Sequence, residues 1–167
     1  RYRGLPVCGD PLPLDYPAPV PRPAKPFMAM APASRWPTKN WPPEAAADAL
    51  RSILERTGVS AVLVGGPAEA DVCEEIVARL GRPAVSFAGR TSLVQLAGLL
   101  AEADLLIAVV SGPVHVAAAL GTPVLGLYGI TDPLRTGPWG EGHRVIRAEG
   151  APGDPRLFRV VNERTLS

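Results

Sequence analysis

The sequence predicts an α/β domain built on a Rossmann-like, doubly wound parallel sheet. Three observations predict it. Short runs such as Ala61-Val62-Leu63-Val64 and 105–110 are apolar at every position, so both of their faces must be buried. These runs alternate with helix-patterned stretches of about ten residues, the spacing of βαβ crossovers. Each run leads into a loop carrying glycine, hydroxyl or charged residues, which is where such a sheet binds its ligands. At 167 residues, 47% apolar and 20% charged, the chain is long enough for one domain with a real core.

Residues 1–26 contain Pro6, Pro11, Pro13, Pro17, Pro19, Pro21, Pro23 and Pro26. Each proline fixes φ and removes a donor, so the segment reads as an extended linker or interdomain piece. The domain proper is expected over 27–167. Its first strand is 27–31. Residues 43–56 form a helix: Pro43 opens it, Glu44 lies in its first turn, Ala46, Leu50, Ile53 and Leu54 recur at helical spacing, and Gly58 stops it. A second strand follows at 61–64. The helix over 69–80 buries Val72, Ile76, Val77 and Leu80 and closes at Gly81. After a short strand at 84–87, Ser92 caps a helix to Leu100 whose buried face is Leu93, Leu96, Leu99 and Leu100. Residues 105–110 are a strand, 113–120 a helix and 124–128 a strand. Beyond Gly129 the pattern fades into Gly/Pro-rich loops with a weak apolar stretch near 157–161. A sheet of roughly five strands results.

A net charge of +1 excludes a strongly basic footprint for nucleic acid. No apolar run is long enough to span a bilayer. Cys8 and Cys73 make neither a disulfide scaffold nor a zinc site and suit a reducing, cytoplasmic compartment. The chain starts at Arg1 without a Met or a signal core and reads as a piece of a longer protein.

Four loops share the carboxyl edge of the sheet. The loop after the first strand, Pro32-Ala33-Ser34-Arg35-Trp36-Pro37-Thr38-Lys39-Asn40-Trp41, offers hydroxyls and cations ahead of a helix, which suits a phosphate; the alternative is a surface loop with both indoles packed on the sheet. In Val64-Gly65-Gly66-Pro67-Ala68-Glu69, two glycines admit a ligand or a tight turn, and Glu69 accepts from ribose hydroxyls or offsets a helix dipole. This is not the G-x-G-x-x-G fingerprint of nicotinamide enzymes. In Val110-Ser111-Gly112-Pro113-Val114-His115, Ser111 is a cap candidate and Pro113 suits the first helical position, so that free N–H groups face the strand end; His115 lies in the same turn, as a site residue or a structural one. In Tyr128-Gly129-Ile130-Thr131-Asp132-Pro133, followed by Thr136-Gly137-Pro138, the polar groups border a base or sugar pocket, or simply build turns. Together the loops point to a phosphate-bearing, nucleotide-like ligand.

Five ordered segments then resemble the heptosyltransferase family (glycosyltransferase family 9). They are Ser34 to Pro42 with its Lys-x-Trp-Pro loop, Gly65-Gly66-Pro67-Ala68-Glu69, Ala88-Gly89-Arg90-Thr91-Ser92-Leu93, Ser111-Gly112-Pro113-Val114-His115 running on to Gly121-Thr122-Pro123, and Tyr128-Gly129-Ile130-Thr131-Asp132-Pro133. The resemblance implies the C-terminal, donor-binding half of a GT-B fold. It implies an inverting transferase that moves a sugar, heptose from ADP-heptose, to a lipopolysaccharide-core acceptor, with no metal or other cofactor. It assigns Ser34, Thr38, Lys39, Gly66, Glu69, Ser111, Gly112, Pro113, His115 and Thr131 to the donor: Thr38 and Lys39 to the diphosphate or sugar, Glu69 to the ribose, and Ser111, Gly112 and His115 to the diphosphate and sugar end. It places the catalytic base in an N-terminal domain not contained in this chain, so the chain binds donor without turning over. The full-length enzyme is expected in the cytoplasm, at the inner face of the membrane, with a glycolipid or saccharide acceptor. In one departure Val110 stands where the family carries Asp. Valine accepts no hydrogen bond from a sugar hydroxyl, so either that donor contact is lost or the ligand differs. The alternative is a degenerate, non-catalytic nucleotide-binding module. A smaller departure is Ala33 in place of a family glycine.

Overall fold

A computed structural model describes residues 24–81 and 84–148, and the backbone of 158–162. The expected linker, 1–26, lies outside the described residues except for 24–26. The strands are β1 (Phe27–Ala31), β2 (Ser60–Leu63), β3 (Ala84–Ser86), β4 (Leu105–Val109), β5 (Val124–Tyr128), β6 (Arg144–Ala148) and β7 (Phe158–Asn162). The helices are α1 (Pro43–Thr57), α2 (Ala70–Leu80), α3 (Leu93–Glu102), α4 (Gly112–Ala119) and the single turn α5 (Pro133–Thr136). They form one seven-stranded sheet of order β3-β2-β1-β4-β5-β6-β7, parallel from β3 to β6, with β7 antiparallel at the edge. This is the expected class, a Rossmann-like doubly wound sheet.

The uniformly apolar strands are explained by two cores. Phe27, Ala29 and Ala31 of β1 point to one face, with Val62, Leu106 and Ala108, and pack against Leu99, Leu100 and Ala103 around α3 and Val114 and Ala117 of α4. Met28 and Met30 point to the other, with Leu63 and Ile107, against Ala46, Ala47, Leu50 and Leu54 of α1 and Cys73 and Ile76 of α2. Helices on both faces leave no strand position in β1 open to water, and every residue of that strand is buried. Local signals fix the helix ends. Gly58 takes a left-handed φ of 69° and donates its N–H to the Leu54 carbonyl at 2.8 Å. Ser92 and Gln95 form a reciprocal capping box at the start of α3.

Three expectations need correction. The sheet has seven strands rather than five. β6 was hidden because Arg144 and Arg147 interrupt the segment Arg144-Val145-Ile146-Arg147-Ala148, which lies within a Gly/Pro-rich region and lacks the apolar run that marks a central strand. The helix expected from Glu69 begins at Ala70, because Pro67–Glu69 forms a separate 3₁₀ turn. Leu93, expected in the buried face of α3, is 71% exposed. As the first residue of α3 it lies nearly two turns before the buried Leu99 and Leu100.

The chain runs from β1 outward to β3 and then returns to β4 on the other side of β1. The loops leaving β1 and β4 therefore diverge to opposite faces, and the crevice between them is the topological switch point where open α/β sheets bind ligands. Among the described residues no helix is long and apolar enough to cross a membrane.

Candidate functional site: a cleft at the switch point

A cleft of about 590 Å³ opens at the carboxyl ends of the strands. Its walls come from four loops. The loop after β1 gives Ser34, Arg35, Trp36 and Lys39; the loop after β2 gives Gly65, Gly66 and Glu69; the region after β3 gives Thr91, Ser92, Leu93 and Leu96; and the β4–α4 turn gives Val110, Ser111, Gly112, Pro113 and His115. Thr136 closes the side beyond β5.

The β1 loop is held in shape by Asn40. Its Oδ1 accepts the Ser34 N–H at 2.7 Å, and the Trp41 N–H reaches back to the Pro32 carbonyl at 3.0 Å. The Ser34 hydroxyl donates to the Trp36 carbonyl at 3.2 Å. The 3₁₀ turn Pro37–Lys39 then brings Lys39 to the cleft. Neither Arg35 nor Lys39 has an ion-pair partner among the described residues. Two such cations beside one carboxylate, Glu69, give the cleft a field that favours an anion.

Glu69 accepts the Gly66 N–H through Oε2 at 2.7 Å. That contact fastens the turn after β2 and leaves further acceptor capacity on the carboxylate. Space requires glycine at position 65, where a Cβ would lie 2.9 Å from the Glu69 Cβ. Behind this turn the buried Cys73 thiol is pushed up to about 12, by burial first and by the charges of Glu69 and Glu74 after it. It is thus an inert core group rather than a nucleophile.

At the β4–α4 turn Ser111 is extended, and its hydroxyl donates to the Val109 carbonyl at 2.9 Å. The expected side-chain cap is not made, so α4 starts at Gly112 with its first turn uncapped by a side chain. A Cβ at Gly112 would meet nothing within 4 Å, so the glycine keeps the cleft open rather than relieving a clash in the protein.

All ten residues expected to meet the donor border the cleft except Thr38 and Thr131. Thr38 is exposed; successive residues of a 3₁₀ turn point about 120° apart, so Lys39 reaches the cleft and its neighbour does not. In the loop after β5 the bordering hydroxyl is Thr136 rather than Thr131. Tyr128 sets this: its buried hydroxyl donates to the Thr136 carbonyl at 2.8 Å, and Gly126 makes room for its ring, since a Cβ there would fall 2.6 Å from Cε2. Sequence reasoning missed Asn40, whose signal was a side-chain amide within a turn, and Leu96, which it assigned wholly to the core. Among the described residues no group of three His, Cys, Asp or Glu could hold a metal ion.

A sequence model described as Glycosyltransferase family 9 (heptosyltransferase) matches residues 14–159. The chain belongs to glycosyltransferase family 9. The lipopolysaccharide core heptosyltransferase OpsX of Haemophilus influenzae is 33% identical over 71% of this chain, which spans 35% of that relative. The solved structure of the E. coli ADP-heptose lipopolysaccharide heptosyltransferase II matches with a TM-score of 0.70 at 30% identity, over 83% of this chain and 42% of that one. E. coli heptosyltransferase WaaC, solved with ADP, matches with a TM-score of 0.70 at 28% identity, over 79% and 41%. The family 9 domain described here thus spans about a third of the length of the curated relatives it matches.

Outside the cleft, His143 is buried, and its Nδ1 has no hydrogen-bond partner. Burial holds its pKa below the ordinary 6.5, with a backbone hydrogen bond to Trp139 acting in the opposite sense. The unfolded chain therefore binds a proton here before the folded one does. His143 contributes full stability above pH 6.5, and that contribution falls as the pH drops below it. Melting temperatures at pH 5 and pH 7.5 are expected to differ more for the native chain than for His143→Gln; an equal acid-side decline in both would contradict this role.

Proposed function

We propose that this chain is the donor-binding, C-terminal half of a heptosyltransferase-type inverting GT-B enzyme, and that the cleft holds an ADP-sugar. A nucleotide sugar is a linear molecule of base, ribose, diphosphate and sugar. The strand order β3-β2-β1-β4-β5 lays out matching groups in the same sequence. Leu93 and Leu96 offer an apolar surface for a base, Glu69 an acceptor for ribose hydroxyls, Arg35 and Lys39 the charge for a diphosphate, and the start of α4 with His115 the neighbourhood of the sugar.

The observation that carries this reading is the convergence of Glu69, Lys39 and His115, from three loops, on one cleft at the switch point. As the bond between the sugar carbon and the diphosphate oxygen breaks, negative charge grows on the leaving phosphate. Lys39 and the α4 N–H groups are placed to stabilise that charge most at the transition state. The acceptor hydroxyl attacks the opposite face of the sugar carbon, and its proton passes to a base on an N-terminal domain. The full enzyme would act on a lipopolysaccharide-core acceptor at the cytoplasmic face of the membrane. ADP and ADP-sugars titrated calorimetrically into the purified chain should give saturable heat; no heat and no thermal shift at millimolar ligand would remove the reading.

A further inference from the structure

We propose that Val110 selects the sugar, so that the cleft takes a nucleotide sugar whose transferred residue turns a deoxygenated carbon, not a hydroxyl, toward the end of β4. The inference rests on the cleft being a nucleotide-sugar site and narrows its substrate class. Val110 follows β4 directly, is only 9% exposed and borders the cleft beside Ala31 and Ala33. The cleft floor between β1 and β4 is therefore hydrocarbon.

The Ser111 and Thr136 hydroxyls, which border the cleft, spend their protons within the protein, on the Val109 carbonyl at 2.9 Å and the Asp132 carbonyl at 3.0 Å. Among the described residues the one carboxylate bordering the cleft, Glu69, lies after β2, with β1 between it and β4. A sugar hydroxyl pressed onto Val110 loses its water and finds no carboxylate acceptor, whereas a C–H surface packs there without loss. The remaining residues do not describe a decayed site. Lys39, Glu69 and His115 still face the same cavity, and the loops that carry the first two are fastened by the Asn40 and Gly66 hydrogen bonds.

An apolar pocket disfavours an added hydroxyl by about 10- to 100-fold. The test is calorimetry on the whole chain with ADP, ADP-heptose and ADP-heptoses deoxygenated at one ring or side-chain carbon at a time. One deoxy donor is expected to bind at least about tenfold tighter than ADP-heptose. Val110→Asp should abolish or reverse that preference, each sugar's affinity being taken relative to that of ADP for the same variant. Val110→Thr, which keeps the shape and adds an acceptor, should move the same way if the aspartate variant does not fold. Equal binding of all the sugars by the native chain, with ADP bound normally, would overturn the inference alone. Failure to bind ADP would overturn the nucleotide-sugar reading and the inference with it.

Discussion

Lys39→Ala is expected to weaken ADP binding by about 2 kcal/mol, roughly thirtyfold, because a charge-assisted hydrogen bond to phosphate contributes about 1.5–3 kcal/mol. The side chain is half-buried at the cleft and has no carboxylate partner among the described residues, so its removal leaves no internal charge unpaired. The melting temperature of the unliganded variant should stay close to that of the native chain. Lys39→Arg should recover part of the affinity, since it keeps the charge but changes the reach. Calorimetric titration reads the two affinities, and a thermal melt the stability. An unchanged dissociation constant in the alanine variant would take the diphosphate away from the β1 loop.

Glu69→Ala should weaken ADP by a similar factor and leave inorganic pyrophosphate untouched. The two ligands differ in the nucleoside, and Glu69 lies on the β2 side of Lys39. The variant also frees the Gly66 N–H now held at 2.7 Å, a local cost on the order of 1 kcal/mol. Glu69→Gln retains an acceptor for that N–H and separates the two effects: it should restore the turn while recovering only part of the ADP affinity. Parallel losses for ADP and pyrophosphate in Glu69→Ala would show that the residue acts through the shape of its loop alone.

What the sequence made legible follows from how local each signal is. The β1, β2 and β4 strands announced themselves because burial on both faces permits only apolar residues, as Phe27 to Ala31 illustrate. Gly58, Ser92 and Pro113 mark helix ends with chemistry confined to one or two residues. β6 was illegible because Arg144 and Arg147 interrupt its apolar residues, and its place depends on pairing with β5. The site divided in the same way. Lys39, Glu69 and His115 could be assigned to the sheet's carboxyl edge from their loops alone. That Ser111 donates to Val109 instead of capping α4, and that Thr136 rather than Thr131 reaches the cleft, depends on contacts such as Tyr128 to Thr136 that no local pattern encodes.

A crystal structure of the chain soaked with ADP measures the whole arrangement at once. The diphosphate should lie between the Lys39 ammonium and the first turn of α4, the ribose hydroxyls within hydrogen-bonding distance of Glu69, and the base against Leu93 and Leu96. ADP seated away from the switch point, or running the opposite way with its ribose at His115, would contradict the reading.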